Sequence, residues 1–83
     1  PSVHIELDAF AAQAEVLQQL REVLTSLPGA QECVLHVSDR TGSRRVDLGN
    51  RYRVICNGEL PMKLRAIPGC LQVWEENPAY PSA

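Results

Sequence analysis

The stretch from Ala9 to Leu27 constrains the fold most, because it is the longest segment whose apolar residues keep a helical spacing. These residues recur at intervals of three or four, the repeat that places side chains on one face of a helix. Asp8 precedes the stretch and is the predicted N-cap, since its carboxylate can accept from the first amide donors. Pro28 and Gly29 follow and are predicted to end the helix, with Gly29 in a left-handed turn. A helix of this length, about 28 Å, covers one face of a small sheet. Its predicted buried stripe is Phe10, Ala14, Leu17, Leu20, Leu24 and Leu27, widened by Val16 and Val23.

Short segments on either side of this helix have the composition of strands, with apolar and polar residues alternating in the first of them. Gly42 is the expected positive-φ residue of a hairpin loop. Gly49-Asn50 fits either a tight turn or a bulge, so a further strand over Arg51–Cys56 stays an open alternative. A second, shorter helix is predicted over Glu59–Ile67, with Pro61 in its first turn, where a missing N–H is harmless. The predicted strands are Val3–Leu7, Glu32–Val37, Arg44–Leu48 and Cys70–Glu75.

The order of these elements predicts the fold class. It is β-α-β-β(-β)-α-β, which indicates an α+β domain with two helices packed on one face of a small mixed sheet. With 83 residues the chain has room for one core, so we predict a single domain over residues 1–75. Residues 76–83 contain Pro78 and Pro81 and are predicted to form a flexible C-terminal tail.

Composition excludes several classes of function. No run approaches the about 18 apolar residues that a membrane span needs, and no signal peptide opens the sequence. Cys33, Cys56 and Cys70 have no metal-ligand spacing and are interpreted as small buried residues in a reducing cytoplasm. His4 and His36 both fall on predicted strands and could be neighbours, but a metal site needs more ligands. We therefore expect no catalytic residue, no metal and no cofactor.

Basic residues are concentrated in one part of a chain whose net charge is −2. Arg51 and Arg53 are expected to share a strand face, and Arg44 and Arg45 to lie on a hairpin. This group is either a solvated hairpin or a surface for phosphate or an acidic partner, and the sequence leaves both open.

Packing and turn motifs follow one another in a fixed order from Val3 to Trp74. With these motifs the chain resembles the far C-terminal domain of the alpha, catalytic subunit of bacterial DNA polymerase III. The motifs are Leu17-Leu20-Leu24 with Pro28-Gly29, Val34-Leu35-His36-Val37, Leu48-Gly49-Asn50-Arg51-Tyr52-Arg53-Val54, Leu60-Leu64 and Gly69 before the last strand.

The resemblance implies a non-catalytic interaction module that tethers a replicative polymerase to the tau-type subunit of the clamp loader. In that family the tether involves the extreme C-terminal part, here Gly69–Ala83, and the nucleotidyl-transfer carboxylates lie in an upstream part of the parent chain. Cytoplasmic location and weak, non-specific contact with DNA are expected, with no small-molecule substrate. Trp74 is either a lid on the core or an interface anchor, since tryptophan and tyrosine are frequent binding hot spots. The expected partner-binding residues are Leu71, Val73, Trp74 and Tyr80.

An alternative of a different class is a regulatory domain of ACT type, which has the same element order, binds a small effector and dimerises. Its effector site needs a glycine at a strand-to-helix turn, and the corresponding junction here, Leu7-Asp8-Ala9, has none. An enzyme is the third alternative, disfavoured by the lack of catalytic motifs.

Overall fold

Four strands, β1 (Ser2–Asp8), β2 (Pro28–Asp39), β3 (Gly42–Asp47) and β4 (Cys70–Glu76), form one mixed sheet in the order β3-β2-β1-β4. The structure, a computed structural model, describes residues 2–76. β1 pairs in parallel with β2 and antiparallel with β4, while β2 and β3 form an antiparallel hairpin. β3 and β4 are therefore the two edge strands.

Two helices, α1 (Ala14–Ser26) and α2 (Glu59–Arg65), pack on one face of this sheet. α1 connects the parallel neighbours β1 and β2, and α2 precedes β4. The predicted fold class, with two helices on one face of a mixed sheet, is confirmed.

The core lies between the sheet and the helices. Alternate residues of the two central strands are almost fully buried, as the period of a strand requires. They meet the apolar faces of both helices and one residue of the long connection before α2, Val54. The buried cluster consists of Val3, Ile5, Leu7, Leu20, Leu24, Cys33, Leu35, Val54, Leu60, Leu64, Ile67 and Val73.

The first helix is shorter than predicted. Residues Ala9–Ala11 form a 3₁₀ turn. Asp8 caps this turn and not the α-helix, because its carboxylate accepts from the amide of Phe10 at 3.2 Å. α1 begins only after Gln13. Phe10 therefore does not continue the apolar face of the helix, and its side chain is 77% exposed. A tertiary contact accounts for the break: Gly69, at φ +85°, lies so close to Ala11 that a Cβ on residue 69 would collide with the side chain of Ala11.

The end of α1 also differs from the prediction. The helix stops before Pro28 as expected, but Pro28 and Gly29 already belong to β2. Gly29 is not left-handed; it is required because an added Cβ would lie 2.5 Å from the backbone of Val54. The amide of Gly29 donates to Arg53 O at 3.2 Å, and that of Ile55 donates to Leu27 O at 3.0 Å.

The segment predicted as an alternative extra strand does not join the sheet. Asn50–Tyr52 form a second 3₁₀ turn after Gly49, whose φ is +78°, so Gly49-Asn50 is neither a hairpin turn nor a bulge. Only Val54 makes isolated bridges, to Pro28 and Gln31. The expectation that Arg51 and Arg53 share a strand face is therefore wrong.

The remaining local predictions hold more closely. Gly42 has the expected positive φ, and Pro61 lies in the first turn of α2. Asn57 caps α2 by accepting from the amides of Glu59 and Leu60. Glu76, predicted in the tail, is the last residue of β4, and residues 77–83 lie outside the described part of the chain.

Candidate docking surface

The sheet face opposite the helices carries the most unusual group of side chains in the structure. We call it the open face, because both described helices pack against the other side. The strand register brings its residues together, since directly paired residues point to the same face. They are Ser2, His4 and Glu6 of β1, Glu32, Val34 and His36 of β2, Arg45 and Asp47 of β3, and Gln72, Trp74 and Glu76 of β4.

Three rings stack at the centre of the open face. The ring centroids of His4 and His36 are 5.1 Å apart, and each lies 5.2 Å from the centroid of Trp74. The interplanar angles are 14° to 23°, so the three rings are nearly parallel. His4 is only 3% exposed, although it lies on the sheet face opposite the two described helices.

A hydrogen-bond chain fixes the tautomers of the two histidines. His4 Nε2 lies 3.0 Å from Glu76 Oε2, and a carboxylate can only accept, so Nε2 carries the proton. His4 Nδ1 is then an acceptor, and His36 Nε2, at 2.8 Å, donates to it. Ser2 Oγ lies 2.9 Å from the same His4 Nε2 and shares the one proton of that nitrogen with the Glu76 carboxylate, while the Ser2 hydroxyl donates to the carbonyl of Glu76 at 3.4 Å.

The surroundings keep His4 neutral. Burial lowers its pKa below 6.5, because an imidazolium loses hydration there, and the nearby His36 and Arg45 act in the same direction. Glu76 opposes this shift without reversing it. The neutral ring also agrees with the hydrogen-bond chain, in which His4 Nδ1 accepts.

Carboxylates surround the ring cluster. Two of them are paired with arginines: Asp47 with Arg45 at 3.1 Å, and Glu32 with Arg53 at 3.4 Å. Within residues 2–76, Glu76 has only the neutral His4 as an ion-pair partner, and Glu6 forms no ion pair. The open face is therefore net acidic.

The predicted partner-binding residues occupy different environments on β4. Leu71 is 59% exposed at the edge of the sheet, and Trp74 is half-buried in the ring cluster. Val73 packs into the core and is 8% exposed, so a partner could reach little more than its backbone. Tyr80 lies outside the described residues.

The predicted basic surface is dispersed. Arg44 and Arg45 lie on the edge strand β3 and point to opposite faces of the sheet. Arg51 is exposed in the second 3₁₀ turn, and Arg53 also donates to Asn50 Oδ1 at 3.1 Å. Two of the four guanidinium groups, those of Arg45 and Arg53, are thus already paired with carboxylates.

The thiols show no sign of activation. Burial raises the pKa of Cys33 to about 11 and also raises the pKa of Cys56 and Cys70. A raised pKa leaves little thiolate, the reactive form, at neutral pH. No group of three or more potential metal ligands is found in the part of the chain that is described.

One apolar hollow of about 150 Å³ lies beside α1, on the opposite side of the domain from the open face. Leu17, Leu20, Leu24, Leu48 and Tyr52 are among its lining residues. Arg21 also lines it and is its one charged residue, so a ligand there would meet mostly apolar surface.

Both histidines lie on strands and are neighbours, as the sequence allowed. Their proximity follows from the parallel register, which pairs Glu6 with His36 and His4 with Val34 and so sets the two histidines on one diagonal. Nothing in the sequence indicated that β4 would bring Trp74 against them, because strand order depends on tertiary packing.

Comparison of the chain with protein-family models, curated proteins and solved structures finds no match. None of the described helices is long and apolar enough to cross a membrane.

Proposed function

We propose that this domain is a non-catalytic interaction module of the kind found at the C-terminal end of the polymerase III alpha subunit, where it tethers the polymerase to the tau-type clamp-loader subunit in the cytoplasm. The observation that carries the proposal is β4, which combines a sheet edge that no other described strand pairs with, the exposed Leu71 and the ring cluster around Trp74. An exposed edge strand can pair with a strand of a partner, and a tryptophan beside it can anchor the contact.

A docking role also agrees with the chemistry of the titratable groups. The thiols are kept protonated, and the histidine pair lies on a sheet face, not among the residues that line the hollow beside α1. A general base needs a substrate held within hydrogen-bond reach, usually in a cleft. The histidine pair is better suited to fix Trp74 in one orientation.

The decisive experiment is capture of the domain by the tau-type subunit after changes at two exposed apolar residues. Leu71→Asp places a charge at the edge of β4 and should weaken capture about tenfold or more, as loss of an interface anchor does. Met62→Asp is the matched control, because Met62 is 66% exposed on α2, away from the open face. Circular dichroism confirms that both variants fold.

Equal capture of the two variants would exclude β4 as the docking element. A chain that ends after Glu76 completes the experiment, because it keeps all of β4 and removes only residues 77–83. If capture is lost on this truncation but survives Leu71→Asp, the tail and not β4 is the tether.

A further inference from the structure

We propose that the open face binds a basic, arginine-containing segment of a partner protein. This inference rests on the proposed function in one respect, that the open face is a docking surface. The arrangement is that of a protein interface, with an aromatic centre and a polar rim. Trp74, His4 and His36 form the centre, and the carboxylates of Glu6, Glu32, Asp47 and Glu76 form the rim.

The negative charge of the rim favours a partner with positive charge. Arg45 and Arg53 neutralise Asp47 and Glu32, and both pairs are largely exposed. The carboxylate of Glu76 is 63% exposed, and its one ion-pair partner within the described residues is a neutral imidazole, while Glu6 has no cationic partner there. Among the described residues, two negative charges are thus left unbalanced on β1 and β4, on either side of the rings.

The same charges disfavour nucleic acid on this face. Binding of DNA or RNA rests on neutralising phosphates with basic side chains, and unbalanced carboxylates repel phosphates. Arg44 and Arg51 are the two arginines of the predicted basic surface without an ion pair inside residues 2–76. Arg44 points to the other face of β3, and Arg51 lies outside the sheet, in the second 3₁₀ turn. A protein segment that carries cations is the occupant that the face fits.

Arginine fits the centre as well as the rim. Its planar guanidinium can stack on an aromatic ring while it donates to carboxylates at the ring's edge, a combination that the lysine ammonium cannot reproduce. Trp74 is only half-buried, and its ring stacks on His4, whose Nε2 lies 3.0 Å from the carboxylate of Glu76.

The test uses a fluorescent peptide of alternating arginine and serine, with a glutamate–serine peptide and a single-stranded oligonucleotide as the other probes. We expect the arginine peptide alone to bind. The double variant Glu6→Gln, Glu76→Gln should weaken its binding about three- to tenfold, since each exposed charge contributes modestly. The matched control is Glu15→Gln, Glu22→Gln, which removes the same charge from the exposed side of α1.

Three results would overturn the inference. One is equal weakening by both double variants, which would indicate general attraction to an acidic domain. Another is tighter binding of the oligonucleotide or of the acidic peptide than of the arginine peptide. The third is an unchanged amide NMR spectrum for Trp74 when the arginine peptide is added to the native chain, a measurement that needs no variant.

Failure of this inference is distinguishable from failure of the proposed function. If the tau-type subunit does not capture the domain but the arginine peptide binds the open face, the proposed function is wrong and the inference stands. If capture depends on Leu71 but not on Glu6 and Glu76, the function stands and the inference is wrong.

Discussion

His4 illustrates how a residue's environment decides its chemistry. An imidazole that is 3% exposed must have its polar atoms paired, because an unpaired buried polar group is costly. Glu76 accepts from Nε2 and His36 donates to Nδ1, so both nitrogens of the neutral ring are satisfied. A proton added to Nδ1 would break the bond from His36.

This arrangement predicts a pH dependence of stability. The pKa of His4 is below 6.5 in the folded chain and ordinary in the unfolded chain, so the unfolded chain binds the proton first as the pH falls. The stabilisation is complete above pH 6.5 and is lost as the pH falls from there towards the pKa of the folded state. Urea unfolding of the native chain and of a His4→Gln variant, at several pH values, measures it.

We expect the unfolding free energy of the native chain to fall across this window and that of His4→Gln to change less. The other charged or titratable groups near the ring are Glu76, His36, Arg45 and Asp47, and all remain in the variant. Stability that rises on acidification in this range would show that His4 is charged in the fold.

At the scale of the element, α1 shows how a tertiary contact shortens a helix. The apolar spacing continues back to Phe10, but the chain passes through a 3₁₀ turn where Ala11 meets Gly69. Asp8 also donates its amide to Gly69 O at 2.9 Å, so β1 and the approach to β4 hold the turn from both sides. The buried side chains of α1 therefore belong to its later turns and are those of Leu20 and Leu24.

Two substitutions distinguish this arrangement from a helix that begins at Ala9. Leu24→Ala should lower the unfolding free energy by about 2–5 kcal/mol, because it removes methyl groups from a side chain that is 1% exposed. Phe10→Ala should change it by less than about 0.5 kcal/mol, because that ring is in solvent. Chemical denaturation of both variants gives the comparison, and a similar loss for both would place Phe10 in the core.

At the scale of the whole molecule, the folded chain separates charges that cluster in the sequence. Arg45 belongs to the open face, Arg44 points to the other side of β3, and Arg51 lies in a 3₁₀ turn. With a net charge of −2, the domain presents no continuous basic stripe within its described part. Contact with nucleic acid can then involve only a few phosphates.

Binding of single-stranded DNA by the isolated domain should therefore be weak, independent of sequence and steeply dependent on salt. Each neutralised phosphate releases counterions, so the slope of log affinity against log salt counts the contacts. Arg44→Gln with Arg51→Gln should reduce that slope by about two units at most, one for each contact. A tight complex that is insensitive to salt would contradict a merely electrostatic contact.

Much of the fold could be predicted because its signals are local. The alternation of Val3, Ile5 and Leu7 defines a strand with one buried face, and Pro61 marks the first turn of α2. Arg51–Cys56 is the counter-example: its composition suits a strand, yet only Val54 forms bridges, to Pro28 and Gln31 at the start of β2, and the segment joins neither edge of the sheet. The candidate site was accessible only in part, since Leu71 and Trp74 were named without knowledge of their surroundings.

The sequence by itself determined which segments of this protein alternate as strands do, repeat as helices do or end at a turn, because these patterns depend on the geometry of a single strand or helix. It therefore determined the α+β class, the element order and the core residues of the central strands. Only the tertiary structure decided that β4 lies beside β1, which brings Trp74 and Glu76 against His4. Strand order is set by the packing of α2 and the register of distant segments, so no local pattern of apolar residues could encode the open face.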